Sequence, residues 1–470
     1  MPKIENLPYP IVILIHIILG AAIVTVPFLA KILVLVVMGY LLLRILNNSD
    51  RNNEVLLACI YFVCVEVFFK MTKAMPLYEM GKYFVLICVV LGILLKGFSL
   101  KSSFYVIYIL TYIPAIFVAA ENIAIDESLR KSIAFNLAGP VILGVVAIYC
   151  YNRKISREKL LNLFGLGAAA LAMMAVYVVF SAPSVEEIDF NAASNATASG
   201  GYGPNQVSTA FGIGIFLTFA RFILIKKLSH NLIDLSLFLI FTYRGYLTFS
   251  RGGVLTAFVM IAAFIFTITI LYRSGFRKSF IPKFILIGAG VVLAFAYTSV
   301  VTGGMVDNRY ANKNSLGEEK EDLTTGRGEL ASLEIQAFLE NPVLGIGAGM
   351  SKYYRLRKAG IGGASHNELT RTLSEHGSIG VLSIAMLVFI PLFYRLGDRS
   401  NIFFYSFLIF WFATINHSAM RIAAPSFIYG LALLRFLPPD KKSLKDEEGK
   451  DEFVELIKER KLLSPRRLKT

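Results

Sequence analysis

The sequence predicts an all-α, polytopic helical membrane protein of about 12–14 transmembrane helices with one long external loop containing amphipathic helices. Three observations carry that prediction. Mean hydropathy is +0.63 over 470 residues, of which 56% are hydrophobic and 17% charged. Apolar runs alternate with short polar clusters along almost the whole chain, the pattern of repeated bilayer crossings. One polar interval, 302–375, is far longer than a connection between two spans requires, and structureless intervals of that length are usually functional.

Taken in order, the apolar segments lie at 10–27, 29–46, 55–71, 83–97, 103–119, 133–151, 160–181, 207–225, 232–250, 253–271, 284–301, 377–395, 401–416 and 424–438. Several fall short of the roughly twenty residues a bilayer needs, so twelve full spans with additional re-entrant or buried pieces is the alternative count. The first two segments break at Pro27 without a small-residue cleavage site, and they read as two spans rather than a removable signal peptide. The tail 439–470 is basic and of mixed charge, with a short amphipathic helix expected from Glu452 to Leu463 on the inner leaflet.

Alternate short loops are basic: Lys96 and Lys101; Arg153, Lys154, Arg157 and Lys159; Lys226 and Lys227; Arg273, Arg277, Lys278 and Lys283; Arg395 and Arg399. By the positive-inside rule these are cytoplasmic, which puts both termini inside and 302–375 outside. The cluster Lys70, Lys73 and Lys82 runs against this count. The net charge of +15 is concentrated in these loops and the tail, a distribution suited to membrane lipids and not to nucleic acid. Cys59, Cys64, Cys88 and Cys150 all fall in apolar runs, which argues against a disulfide framework or a zinc site; no metal and no cofactor is expected.

The polar residues suited to chemistry cluster toward the external side. The segment 182–206 is acidic at Glu186, Glu187 and Asp189 and closes on Gly201-Tyr-Gly-Pro-Asn-Gln, a fixed turn containing Asn205. Arg244 and Arg251 are seven positions apart, two turns on one helical face. Arg251, in Ser250-Arg-Gly-Gly, reads either as a side chain reaching for headgroups or as a ligand, and Arg244 either as a ligand or as the partner of an acid such as Asp234. Arg327, in Thr324-Thr-Gly-Arg-Gly-Glu, opens an amphipathic helix with Leu330, Leu333 and Ala337 on one side, and is either a solvated charge or a ligand. Lys352-Tyr-Tyr-Arg-Leu-Arg-Lys, bracketed by glycine-rich turns, suits a phosphate or sugar face and equally the headgroup level.

Of five histidines, His16 and His230 read as structural, while His417, near Arg421, borders the external side. His366 stands where a helix begins at the membrane boundary, a place for either a structural or a general-base histidine. Glu368, Arg371 and Glu375 follow it on one helical face, and mutual salt bridges account for their charges.

Together, Ser250-Arg-Gly-Gly, Gly203-Pro-Asn, Gly326-Arg327, Asn341-Pro-Val-Leu-Gly-Ile-Gly and His366-Asn-Glu-Leu with Leu373-Ser-Glu-His-Gly resemble the O-antigen ligase and polymerase-like superfamily of integral membrane glycosyltransferases over roughly 200–395. The resemblance implies a layout of N-terminal spans (1–200), a catalytic region (201–395), C-terminal spans (396–438) and a cytoplasmic tail (439–470). It implies transfer of glycan from an undecaprenyl-diphosphate carrier to an acceptor hydroxyl at the outer face of the cytoplasmic (inner) membrane, without metal or nucleotide sugar. The acceptor is lipid A-core in ligases and a further glycan repeat in polymerases, and both alternatives stay open. By motif, Arg251 and Arg327 take the diphosphate-binding roles and His366 the catalytic one, with Arg244, Glu368, Glu375 and Asn205 as supporting residues. A transporter or flippase for a lipid-linked or anionic solute is the rival class; it calls for inverted repeats or paired broken helices, which the sequence lacks.

Overall fold

The computed structural model describes residues 7–122, 127–184, 187, 188, 190, 191, 193–271, 276–320, 326–363 and 365–438. The expected tail helix, Glu186, Asp189, Arg273, Thr324 and Thr325 lie outside the described residues. The chain is all-α and polytopic. Its helices are α1 (Tyr9–Thr25), α2 (Phe28–Asn48), α3 (Glu54–Met71), α4 (Met80–Lys96), α5 (Ser103–Leu110), α6 (Ile113–Asn122), α7 (Glu127–Cys150), α8 (Arg157–Ser181), α9 (Pro204–Leu224), α10 (Leu228–Leu247), α11 (Arg251–Leu271) and α12 (Phe276–Val301). After these come α13 (Met305–Tyr310), α14 (Arg327–Glu340), α15 (Ser351–Ala359), α16 (Glu368–Gly397), α17 (Phe404–His417) and α18 (Ala424–Leu431).

Among the described residues eight helices are long and apolar enough to cross a membrane, with α5 and α6 counted as one. Of the fourteen apolar segments, six are not among these eight, and the last two are the shortest of them. Helices α17 and α18 have 14 and 8 residues, about 21 and 12 Å against a hydrocarbon core of about 30 Å. Every residue of α18 is buried, whereas α17 exposes Tyr405 and Phe412, so the two pack as a short hairpin of which α18 is the internal arm. The sequence cannot separate such a hairpin from two spans, because both are continuous apolar runs.

The core organises around α9. Ser, Thr and Gly punctuate its apolar sequence, and all but the first two and the last of its residues are buried, between α8, α10 and α11. Small residues let its backbone come close to α11. A Cβ on Gly253 would lie 2.2 Å from the Ser208 carbonyl carbon, and one on Gly212 would lie 2.4 Å from the Gly253 oxygen.

One end of the bundle is clamped by paired charges. Asp50 receives Tyr149 Oη at 2.8 Å and Arg153 at 3.2 Å, and Arg153 also donates to the Gly97 carbonyl at 3.3 Å. There β1 (Lys154–Ile155) pairs in parallel with β2 (Arg435–Phe436). Nearby, Arg221 donates to Asp234 at 3.0 Å, and Tyr9 Oη donates to the same carboxylate at 2.6 Å. Asp234 therefore belongs to Arg221, and its proposed pairing with Arg244 is not formed. Arg244 turns instead to carbonyls, donating to Ala198 at 3.2 Å and Val178 at 3.5 Å.

The contrary lysine cluster at the opposite end also has a physical account. Lys70 is buried against Glu66 at 2.8 Å and Lys82 against Glu79 at 2.7 Å. Charges neutralised inside the bundle carry little weight in a rule that counts cations in loops.

Candidate active site

The turn from α10 to α11 places Arg251. Phe249 takes a left-handed φ of +54° to reverse the chain, and Ser250 Oγ donates to Asn205 Oδ1 at 2.7 Å, tying the turn to the start of α9. Ser208 Oγ donates to the Ser250 carbonyl at 2.6 Å. The glycines after Arg251 are required by proximity: a Cβ on Gly252 would stand 2.4 Å from the His417 ring. Arg251 is thus held at the first residue of α11, and its guanidinium donates to Asn312.

The long loop folds back over this turn. Helix α13 packs Val306 against Tyr246 and Phe249, and Arg309 Nε donates to the Phe249 carbonyl at 2.9 Å. Arg327 opens α14 after Gly326, whose φ is +77°, and donates to the His417 carbonyl at 3.4 Å. Arg251 and Arg327, 76 positions apart in sequence, therefore flank one residue, His417. The His417 ring is fixed by the Ala413 carbonyl at 2.9 Å and Thr209 Oγ1 at 3.3 Å.

His366 is positioned from the other side. Helix α14 docks through buried Glu334 and Ala337 onto α16, with Leu330 and Leu333 half-buried on the same face, so the expected Leu330, Leu333 and Ala337 side faces inward with Glu334 in its midst. Helix α16 bends at Gly377, where φ is +59° and ψ −141°. The Asn341-Pro-Val-Leu-Gly segment fills that bend: Ser378 N donates to the Pro342 carbonyl at 2.8 Å, and Ile346 N donates to the Ser374 carbonyl at 2.9 Å. A Cβ at Gly377 would meet the Val343 oxygen at 2.5 Å. The bend separates an outer helix, 368–376, from the apolar helix beyond it. Asn367 caps that outer helix, accepting from Leu369 N at 2.9 Å and Thr370 N at 3.3 Å. His366 sits just before the cap, and Arg421 reaches the adjoining Ser365 carbonyl at 3.2 Å.

Electrostatics single this place out. Among the described residues Arg251, Arg327 and Arg421 make no ion pair with a carboxylate, although all three are half-buried. Burial, then Arg421, then Arg251 push the Arg327 guanidinium below its ordinary value. Burial, Arg251 and Arg327 do the same to Arg309. His366 is lowered to about 4 by burial and then by Arg421, Arg327 and His417, and its Nδ1 is buried without a partner. The imidazole is therefore neutral at neutral pH. Because Asn367 occupies the first N–H groups of α16, burial and the arginines, rather than the helix terminus, keep the proton off.

The carboxylates near His366 are otherwise engaged. Arg371 bridges Glu368 and, at 3.6 Å, Glu375. Glu375 also receives Asn136 Nδ2 at 3.0 Å. In the basic-aromatic segment, Arg355 is buried against Glu334, and Tyr354 Oη donates to Glu340 at 2.8 Å, so half of that patch is structural. Among the described residues no group of His, Cys, Asp or Glu is arranged to hold a metal ion.

Sequence reasoning missed Arg309 and underrated Arg421. Each lies in the first polar run beyond an apolar helix, Asp307-Asn-Arg-Tyr and His417-Ser-Ala-Met-Arg. That placement had marked Arg251. What the cluster can do chemically is bind an oxyanion bidentately and accept a proton beside it.

Residues 236–385 match the family model described as O-antigen ligase. The matched interval contains Arg244, Arg251, Arg309, Arg327 and His366, while Asn205, His417 and Arg421 lie outside it. No curated protein and no solved structure matches the chain. The match supports the O-antigen ligase-like superfamily and, with it, a glycosyltransferase-like membrane enzyme that handles a lipid-linked glycan and an acceptor.

Proposed function

We propose, with the O-antigen ligase match as premise, that the chain transfers glycan from an undecaprenyl-diphosphate carrier to an acceptor hydroxyl at the outer face of the cytoplasmic membrane. The observation that carries this reading is the convergence of Arg251, Arg327 and Arg421, without carboxylate partners among the described residues, beside a neutral His366. Half-buried guanidinium groups left without acids are costly unless an anion completes them. A lipid diphosphate supplies that anion and is also an activated leaving group, so the protein mainly has to neutralise charge and orient the attacking hydroxyl.

In this mechanism the acceptor oxygen forms a bond to the anomeric carbon as the bond from that carbon to the diphosphate oxygen breaks. The hydroxyl proton passes to His366, and the carrier diphosphate leaves as an anion held by the arginines. Burial, and then repulsion from Arg421 and Arg327, keeps His366 a weak base before the donor binds. A bound dianion offsets those charges and raises its basicity, so the base becomes effective when the donor is in place. Asn205 and Arg244 support the frame, through Ser250 and through the carbonyls of Val178 and Ala198.

Lysine lacks the planar fork that grips two phosphate oxygens. Arg251→Lys and Arg327→Lys, assayed as purified folded protein with a lipid-diphosphate glycan, should each reduce transfer roughly ten-fold or more. Normal transfer by both would remove the diphosphate from this site. Deleting the gene should leave assembled glycan on its carrier; single repeat units there would mark a polymerase instead.

A further inference from the structure

The turn that carries Arg421 is held from a helix that the diphosphate chemistry above does not use. Helix α3 is buried along its whole length. Near its end Glu66 and Lys70 form an ion pair at 2.8 Å, their side chains 0% and 2% exposed. The pair grips backbone as well as itself. Glu66 Oε2 accepts from Ala423 N at 2.8 Å, and Lys70 Nζ donates to the Arg421 carbonyl at 3.3 Å. These bonds fall on the two consecutive peptide groups either side of buried Ile422.

The local sequence leaves that turn in need of such partners. The chain reverses between α17 and α18 through Ala419, whose φ is +52°, a conformation costly for a residue with a Cβ. Ala423, the N-cap of α18, has no side chain to cap with, and Ser426, three positions on, donates to the Gly139 carbonyl at 2.9 Å instead. Glu66 makes from another helix the bond that a capping-box acid makes to the N-cap N–H. Helix α4 leaves room for it: a Cβ on Gly81 would stand 2.4 Å from the Glu66 carboxyl carbon.

A buried ion pair is a poor source of net stability, because desolvation offsets the attraction, and apolar residues of similar volume often serve as well. What apolar side chains could not do here is hold an N–H and a carbonyl. We propose that Glu66 and Lys70 are positioning residues for the transfer reaction: from α3 they fix the 421–423 backbone and thereby hold the Arg421 guanidinium at the Ser365 carbonyl, next to His366. The inference rests on the donor site proposed above. Both residues, like Arg421, lie outside the interval that matches the family.

The test compares full-length wild type in detergent with Glu66→Leu/Lys70→Met, which removes the clamp and strands no charge. Melting should be unchanged or higher, and hydrogen exchange in 417–423 should be faster. Affinity for inorganic pyrophosphate, read by calorimetry, should fall about ten-fold, the loss of one charge-assisted hydrogen bond. That loss should run through Arg421. Arg421→Ala should weaken pyrophosphate at least as much, and adding the apolar pair to it should change affinity by less than about two-fold further. Gly81→Ala, which keeps both charges and crowds the Glu66 carboxylate, is the second variant, and should speed exchange in 417–423 and weaken pyrophosphate in the same direction. Unchanged exchange in both variants would overturn the clamp. Faster exchange with unchanged pyrophosphate affinity, or an equal further loss on top of Arg421→Ala, would overturn the positioning role. Wild type that fails to bind pyrophosphate, or Arg421→Ala that binds it as tightly as wild type, strikes the donor reading itself, while exchange still decides whether the pair holds the turn.

Discussion

Arg221 and Arg327 are both arginines drawn into the protein, yet the two ends of the bundle treat them in opposite ways. At the end built by Asp50, Arg153, Arg221 and Asp234, each arginine meets a carboxylate at 3.0–3.2 Å, and Tyr149 and Tyr9 also donate to these acids. At the other end Arg251, Arg327 and Arg421 find, among the described residues, an amide oxygen and carbonyls. Protein oxygens of that kind accept hydrogen bonds without cancelling charge, so positive potential survives there. The difference teaches that a buried arginine signals function by the partner it lacks rather than by its depth. Arg355 and Arg371 show this beside the proposed site itself, since each meets an acid and reads as framework.

The largest effect expected at the unpaired end is loss of the base. His366→Ala should reduce transfer by about 10²–10⁴ with donor binding retained. His366→Gln should be as impaired, because an amide cannot take the proton; near-normal turnover by the Gln variant would reduce the histidine to a positioning role.

At the paired end the expected damage is to stability. Asp234→Ala strands Arg221 in the core and should destabilise by about 3–5 kcal/mol, read as a lowered melting temperature. Arg251→Ala should leave melting unchanged or raise it, because it removes an uncompensated cation. Equal destabilisation by the two variants would erase the distinction between the ends.

A smaller change should convert one kind of end into the other. Asn312 accepts from Arg251 and already has a left-handed φ of +59°, a conformation Asp tolerates. Asn312→Asp places a carboxylate on Arg251, and should weaken pyrophosphate binding roughly ten-fold while the protein stays folded. Unchanged binding would mean Arg251 does not face the anion.

The smallest effect is on pH dependence. His366 is lowered to about 4 in the fold against about 6.5 in an unfolded chain. Between those values the unfolded state holds the extra proton, so stability is full above about 6.5, falls as pH drops toward 4, and loses nothing more from this group below that. Because the ring is partly exposed, the slope is modest. It should be read as the difference in melting between wild type and His366→Gln across pH 4–7; parallel curves would show that the imidazole is not held neutral.

The sequence by itself determined the membrane class and the alternation of helices, and it named the residues around which the site is proposed, because hydropathy and the Ser250-Arg-Gly-Gly, Gly326-Arg327 and Ser365-His366 segments are local properties. Tertiary structure decided which charges cancel. Asp234 was legible as an acid near arginines, but only packing assigns it to Arg221, thirteen residues away on the facing helix, rather than to Arg244. Lys70 and Lys82 stand at helical spacing from Glu66 and Glu79, so those pairs are local, and only the fold decides that they are buried. The convergence of Arg251 with Arg327 on His417, the bend at Gly377 that receives Asn341-Pro-Val-Leu-Gly, and the shortness of α17 and α18 are decided in the same way. Each depends on contacts between segments tens to hundreds of positions apart, and a pairing energy at that separation leaves no periodicity in the chain to read.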